Sequence, residues 1–261
     1  MFINFAVLAF IGIVLLSVSP GHGADKSERG ACDTITYSAN PQYPPYHWAT
    51  KTGSLEGASI ELLKQVVPAG IKLKSVVYPW KRSLAMAQLG DIDLLLSLRK
   101  TPERSKYLTF TSHQAFPNPI VIFVRTDRIF PYRKWSDLKG RKGVISLGDK
   151  FGSGFDEYWP KELSMQETGT MIENFQRLEN GQIDYFITGQ FNGTAFLKSS
   201  RTKYSITNLA PPISDEGIYF GFSSKSRCSS LVDYIDRQLA ELEKKDVPRK
   251  LLKKSLEGTR P

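Results

Sequence analysis

Histidine, cysteine and methionine are scarce in this 261-residue chain, with three, two and four copies. No His-x-x-x-His or Cys-x-x-Cys pair occurs, so a structural metal site is not expected. His22 lies near the N-terminus, which leaves His47 and His113 as the only imidazoles for acid–base work. A phosphate-binding loop is also missing. Gly148-Asp149-Lys150-Phe151-Gly152-Ser153-Gly154 is glycine-rich but has no Gly-Lys-Ser/Thr, so no nucleotide and no other cofactor is expected. It reads instead as a strand-to-helix turn whose free backbone amides, at Gly152 to Gly154, face a ligand. No unit recurs at solenoid spacing, which excludes a tandem repeat.

Long apolar runs are limited to one, Phe5 to Leu16. It is too short to span a bilayer comfortably, and the small residues at Gly21 and Gly23 suit a signal peptidase. The reading is a signal peptide over residues 1–23, cleaved before Ala24, and a periplasmic mature protein. No Lys or Arg precedes the run, which keeps an uncleaved anchor as the alternative. The formal charge of +9 falls outside residues 1–23, and its basic residues are scattered apart from Lys139 to Lys142 and Arg249 to Lys254. Without a nucleic-acid motif this describes a solvated basic surface of a monomer, with no nucleic-acid partner. Cys32 and Cys228 make an even count, which in an oxidising compartment favours one disulfide over two free buried thiols.

Strand and helix patterns alternate. Thr34 to Ser38 reads as a strand; Ile60, Leu63 and Val67 mark a helix face that Pro68 ends; Ile71 to Val77 is a second strand. A helix from Lys81 to Leu89 stops at Gly90 and feeds a buried strand, Ile92 to Leu96. This βαβαβ order predicts an α/β fold with a parallel sheet and right-handed crossovers. The same device recurs where a helix with Ile172, Phe175 and Leu178 on one face stops at Gly181 and feeds Ile183 to Ile187, so two lobes of related construction are expected. Phe116-Pro117-Asn118-Pro119 and Ala210-Pro211-Pro212 read as breakers between them. A final helix from Ser229 to Lys244, with Leu231, Tyr234, Ile235 and Leu239 on one face, packs back on the first lobe.

The buried strand runs into Ser97-Leu98-Arg99-Lys100-Thr101-Pro102-Glu103-Arg104, a polar segment at the rim of a sheet, where open α/β folds bind ligands. A planar guanidinium there can take a carboxylate bidentately, and a surface Arg in a polar turn is the plain alternative. Gly90-Asp91-Ile92-Asp93 before the strand and Tyr107-Leu108-Thr109-Phe110-Thr111 after it tip the balance. With Tyr43-Pro44-Pro45-Tyr46, Trp135-Ser136-Asp137-Leu138-Lys139-Gly140 and Gly217 to Phe222, in this order, the chain resembles the family 3 extracellular solute-binding proteins, the periplasmic receptors of polar amino acid ABC importers.

The resemblance implies a two-lobed type II periplasmic binding protein fold with the ligand cleft between lobes joined by two crossover segments. Lobe 1 would comprise residues 24–113 and 218–261, lobe 2 residues 119–212, and the hinges 114–118 and 213–217. Cys32 and Cys228 then share lobe 1, which makes their pairing geometrically possible. Arg104 would hold the ligand carboxylate, with Ser97, Arg99 and Thr101 around it. Tyr43, Tyr46, Trp80, Arg82 and Phe151 would supply walls, and Gly152 a backbone donor. Where such receptors hold the ligand ammonium with acidic residues, this chain has Asn40 and Gly189 or Gln190. The loss disfavours a free ammonium, unless Glu216 or Asp149 compensates. The implied function is capture of a carboxylate-bearing solute for an ABC permease. One rival is a dehydratase-like enzyme on the same fold, using Glu216, Asp149 or His113. Another is a sensing module for a signalling partner, disfavoured because no signalling module accompanies the fold before Pro261.

Overall fold

Two five-stranded sheets, each covered on both faces, carry the cleft between their strand ends. The structure, a computed structural model, describes Met1 and residues 32–152, 154–200 and 205–258; the expected signal peptide lies outside the described residues. The first sheet begins with β1 (Thr34–Ser38). A small three-stranded sheet follows, β2 (Gln42–Tyr43), β3 (His47–Ala49) and β4 (Leu55–Glu56), before α1 (Ala58–Val66), β5 (Lys72–Ser75), α2 (Trp80–Leu89), β6 (Leu94–Leu98) and β7 (Leu108–Phe110). The second sheet is built from β8 (Ile120–Arg125), β9 (Gly143–Ser146), α3 (Phe155–Glu162), β10 (Met165–Thr168), α4 (Met171–Glu179), β11 (Tyr185–Gly189), α5 (Gln190–Ser199) and β12 (Ile206–Ser214). The chain then returns to the first sheet as β13 (Tyr219–Ser223) and ends with α6 (Val232–Lys244) and α7 (Val247–Gly258). Strand order is β5-β1-β6-β13-β7 in one sheet and β10-β9-β11-β8-β12 in the other.

β1, β5 and β6 are parallel, as are β9, β10 and β11, while β13, β8 and β12 run antiparallel to their neighbours. The wholly buried β6 needs apolar residues on both sides. Leu94 and Leu96 enter the core under α1, and Leu95 and Leu98 the core under α2. Strict alternation would send Ser97 toward α2. Its backbone instead takes a left-handed φ of 50°, rare for a residue with a Cβ, and its hydroxyl turns back to α1.

Four sequence readings are corrected by the packing. The strands expected over Ile92–Leu96 and Ile183–Ile187 begin two residues later, at Leu94 and Tyr185. In both, the Asp of the Gly-x-Ile-Asp entry reaches across and accepts a backbone N–H: Thr36 N to Asp93 Oδ2 at 2.8 Å, Lys142 N to Asp184 Oδ2 at 2.7 Å. A side chain thus does what the first ladder bond would. Ile172 and Tyr234, expected on apolar faces, are exposed, because the buried stripes run through Met171, Phe175 and Leu178 and through Val232, Ile235 and Leu239. The final helix starts only at Val232, after a 3₁₀ turn over Arg227–Leu231. The Pro-rich breaker at Ala210 to Pro212 lies inside edge strand β12, where pairing with β8 lapses between Leu209 and Ser214 because a proline has no N–H to donate.

The crossover chains lie side by side. Ala115 N donates to Ile218 O at 2.7 Å, Ile218 N to Phe116 O at 2.9 Å, and Ser214 pairs with Ile120. A disulfide joins Cys32, just before β1, to Cys228, in the turn after β13.

Candidate binding site

The C-terminal ends of β1, β6, β9 and β11 meet at a cavity with residues of both sheets in its wall. That is where parallel α/β sheets place ligands, since the strand ends present loops and helix N-termini there. Of the residues singled out from sequence, Asn40, Tyr43, Trp80, Ser97, Arg99, Arg104 and Phe151 line this cavity, as does Gly189. The rest stand around it. Tyr46 is wholly buried and donates to Pro117 O at 2.7 Å, which ties the aromatic loop to the first crossover. Arg82 lies over the Tyr78 ring, 4.7 Å from its centroid, and is exposed. Gln190 opens α5, with its amide on Pro119 O. Thr101, Gly152 and Glu216 line a separate outer groove.

Arg104 is 6% exposed, an unusual depth for a guanidinium. Its backbone N–H donates to Thr101 Oγ1 at 3.2 Å, one Nη donates to Arg99 O at 3.0 Å, and the Trp80 ring centre lies 5.8 Å away. No carboxylate of the described residues stands within ion-pair distance of it, and burial lowers its pKa. A desolvated, unneutralised cation at a cleft wall is costly on its own and calls for an anion.

Arg99 is placed differently from Arg104. One Nη donates to Asn118 O at 2.8 Å and the other to Gly217 O at 3.2 Å, and Glu216 lies 3.7 Å away. Arg99, expected beside the ligand carboxylate, is thus engaged by a carbonyl from each crossover chain. Gly152 also differs from its reading as a free donor: its amide and that of Phe151 donate to the Asp156 carboxylate at 3.0 Å.

Of the polar wall residues, His47, Asn118 and Lys150 had no place in the sequence reading of the site, and Asp149 entered it only as a possible compensating acid. Asn118 Nδ2 donates to the Tyr43 hydroxyl at 2.9 Å. This pair explains Gly189, since a Cβ there would meet Asn118 Oδ1 at 2.7 Å and Tyr43 Oη at 3.2 Å. His47 is 1% exposed; Nδ1 lies 3.2 Å from Ser59 Oγ, which is 2.6 Å from Ser97 Oγ, and Nε2 has no partner. The one available signal was the Ser59 hydroxyl on α1, opposite a histidine twelve residues earlier, and only the fold brings them together.

The cavity's titratable groups pull in opposite directions. Burial pushes the His47 imidazole down to about 3. Burial pushes the Asp149 carboxyl up to about 7, with Arg104 opposing and Glu167 and Asp156 reinforcing the rise. In acid the unfolded chain protonates His47 below roughly pH 6.5 while the fold does not, so stability falls by about 1.4 kcal/mol per pH unit from there toward pH 3. Asp149 opposes this: between pH 7 and its unfolded value the fold holds a proton the open chain lacks, so stability rises as pH falls. His47→Gln cannot protonate, and its stability relative to wild type should gain about 2 to 3 kcal/mol between pH 6.5 and 4.5. Urea titrations at the two pH values measure this; an unchanged difference would show that His47 is not held neutral.

Two covered sheets with a cavity at their facing strand ends, and a buried cation in its wall, define a two-lobed fold of the type II periplasmic binding protein class. The chain belongs to the bacterial extracellular solute-binding proteins, family 3, which it matches over residues 35–257. It is 26% identical over 251 residues to the L-cystine-binding protein TcyK of Bacillus subtilis (strain 168), covering 90% of each chain. In fold it is similar to an amino acid ABC transporter substrate-binding protein from Streptococcus pneumoniae bound to L-arginine, with TM-score 0.72 and 18% identity over 88% of this chain and 96% of that one. It is also similar to a histidine kinase sensor domain, with TM-score 0.71 and 21% identity over 87% and 98%. At such identities the likeness is one of fold.

Proposed function

We propose that this protein captures a small carboxylate-bearing solute, an amino acid or related compound, outside the cytoplasmic membrane and presents it to an ABC permease. The observation that carries this reading is Arg104, a buried guanidinium in the cleft with no ion-pair partner among the described residues. A bidentate carboxylate would supply the missing charge. Family membership supports an extracytoplasmic role.

Residues 24–113 with 218–261 would move against 119–212 about hinges at 114–118 and 213–217. Arg99, bonded to Asn118 O and Gly217 O, would hold the two hinge chains together as they bend. Ligand should therefore compact the protein. Small-angle scattering with and without a saturating amino acid tests this: the radius of gyration should fall, and an unchanged profile argues against hinge closure.

A catalytic reading draws on Asp149, since a cleft carboxyl near pH 7 suits general acid–base work. Recovery of the bound solute unchanged after long incubation would favour capture, and conversion would favour catalysis.

A further inference from the structure

The basic cluster at Arg249 to Lys254 takes no part in the cleft, and its pattern follows from its place on α7, which packs on α1 and α6. Pro248 and Leu252 are buried, Leu251 and Leu256 are partly buried against the core of the first sheet, and Arg249, Lys250, Lys253 and Lys254 are exposed. At about 3.6 residues per turn the four cations share one arc of roughly 140°, and the apolar residues fill the opposite one. The helix thus turns its apolar stripe inward and a strip of positive charge outward.

Little on the protein offsets that charge. Arg249 Nε stands 3.7 Å from Asp246 in a solvent-exposed pair, and Lys250 Nζ donates to the uncharged Lys245 O at 3.0 Å. Lys250, Lys253 and Lys254 have no carboxylate within ion-pair distance among the described residues. Glu257, in the last turn, is the one acid of α7. Arg249 with Lys253, and Lys250 with Lys254, are like charges four residues apart, a spacing that works against a helix in water and is relieved when an anionic partner covers it.

The chemistry of the strip selects the partner. A protein partner is held by aromatic and apolar anchors at the centre of the contact, and α7 exposes no large apolar side chain. Three of the four cations are lysines, point charges on flexible stems that follow phosphates free to move, whereas a fixed carboxylate suits the fork of an arginine. Because the apolar face of α7 is already engaged in the core, the helix has nothing to insert into hydrocarbon and would meet a membrane at the headgroups alone.

We propose that the outer face of α7 is a docking strip for an anionic phospholipid bilayer, on which the protein rests through lipid phosphates without inserting. The strip acts apart from the cleft: neither Arg104 nor the cavity takes part in it.

The test is co-sedimentation with vesicles of phosphatidylcholine alone and with about one third phosphatidylglycerol. Wild type should partition onto the anionic vesicles roughly a hundredfold more strongly than onto the neutral ones, and raising salt from about 0.05 to 0.5 M should remove the difference. An apolar N-terminal segment would bind both vesicle types alike, so the quantity read is the ratio between them. Replacing Lys250, Lys253 and Lys254 together by glutamine should remove most of that ratio, about fivefold per lysine. Replacing the exposed Lys142, Lys161 and Lys198 instead makes the same change in net charge away from α7 and should preserve it. Equal loss in the two triple variants would reduce the effect to net charge and overturn the strip, as would an undiminished ratio in the α7 variant. Equal wild-type binding to both vesicle types would overturn it as well and leave an acidic protein as the partner to seek. Wild-type lipid and salt dependence decides the matter even if the α7 variant fails to fold. Arg104→Ala should bind vesicles as wild type does, so failure of the carboxylate clamp and failure of the strip are read separately.

Discussion

Arg104→Ala is expected to lower affinity for a carboxylate ligand by about 2 to 5 kcal/mol, or roughly thirty-fold to several thousand-fold, because it removes one partner of a buried, hydrogen-bonded charge pair. The fold should survive, since the variant loses a desolvated cation along with one bond to Arg99 O. Arg104→Lys keeps the charge but not the fork, and should recover only part of the affinity. Calorimetry on the tightest-binding amino acid gives the answer, with thermal melting as the control. Undiminished affinity in the alanine variant would sink the clamp.

Replacing both Cys32 and Cys228 by serine should reduce stability by roughly 2 to 5 kcal/mol. The bond closes a loop with a sequence separation of 196, spanning the whole excursion into the second sheet and back. Without it the open chain gains that loop's freedom, and the segment before β1 is no longer held to the turn after β13. Urea unfolding of the double variant reads the loss as a lower midpoint. An unchanged midpoint, or two titratable thiols in oxidised, denatured wild type, would refute it.

Much of the architecture is legible in local chemistry. Alternating strand and helix patterns point to parallel α/β sheets, and Gly90 and Gly181, both at positive φ, stop the helices where the sequence places the stops. Strand starts are less legible, because Asp93 and Asp184 accept side-chain bonds from Thr36 in β1 and from Lys142 just before β9, partners far away in the chain. Helix α5 escaped notice because Gln190 to Ser199 has little amphipathic contrast. Helix α7 coincides with the basic cluster at Arg249 to Lys254, which reads as a solvated surface until Leu252 is seen to enter the core beside α1.

The sequence by itself determined the fold family and the rim segment that ends in Arg104, because each is a matter of residue type in a local order. Only the tertiary structure decided which charges are still available. Arg99 and Arg104 stand five residues apart and look equivalent in sequence, yet one is taken up by carbonyls from both crossover chains and the other faces the cavity without a counterion. Asp149, Asp156 and Glu216 are likewise three acids of similar promise. Asp156 turns to backbone amides and Glu216 to the outer groove, while Asp149 lines the cavity that holds Arg104. Whether a charged group is engaged depends on partners far away in the chain, and folding alone brings those within reach.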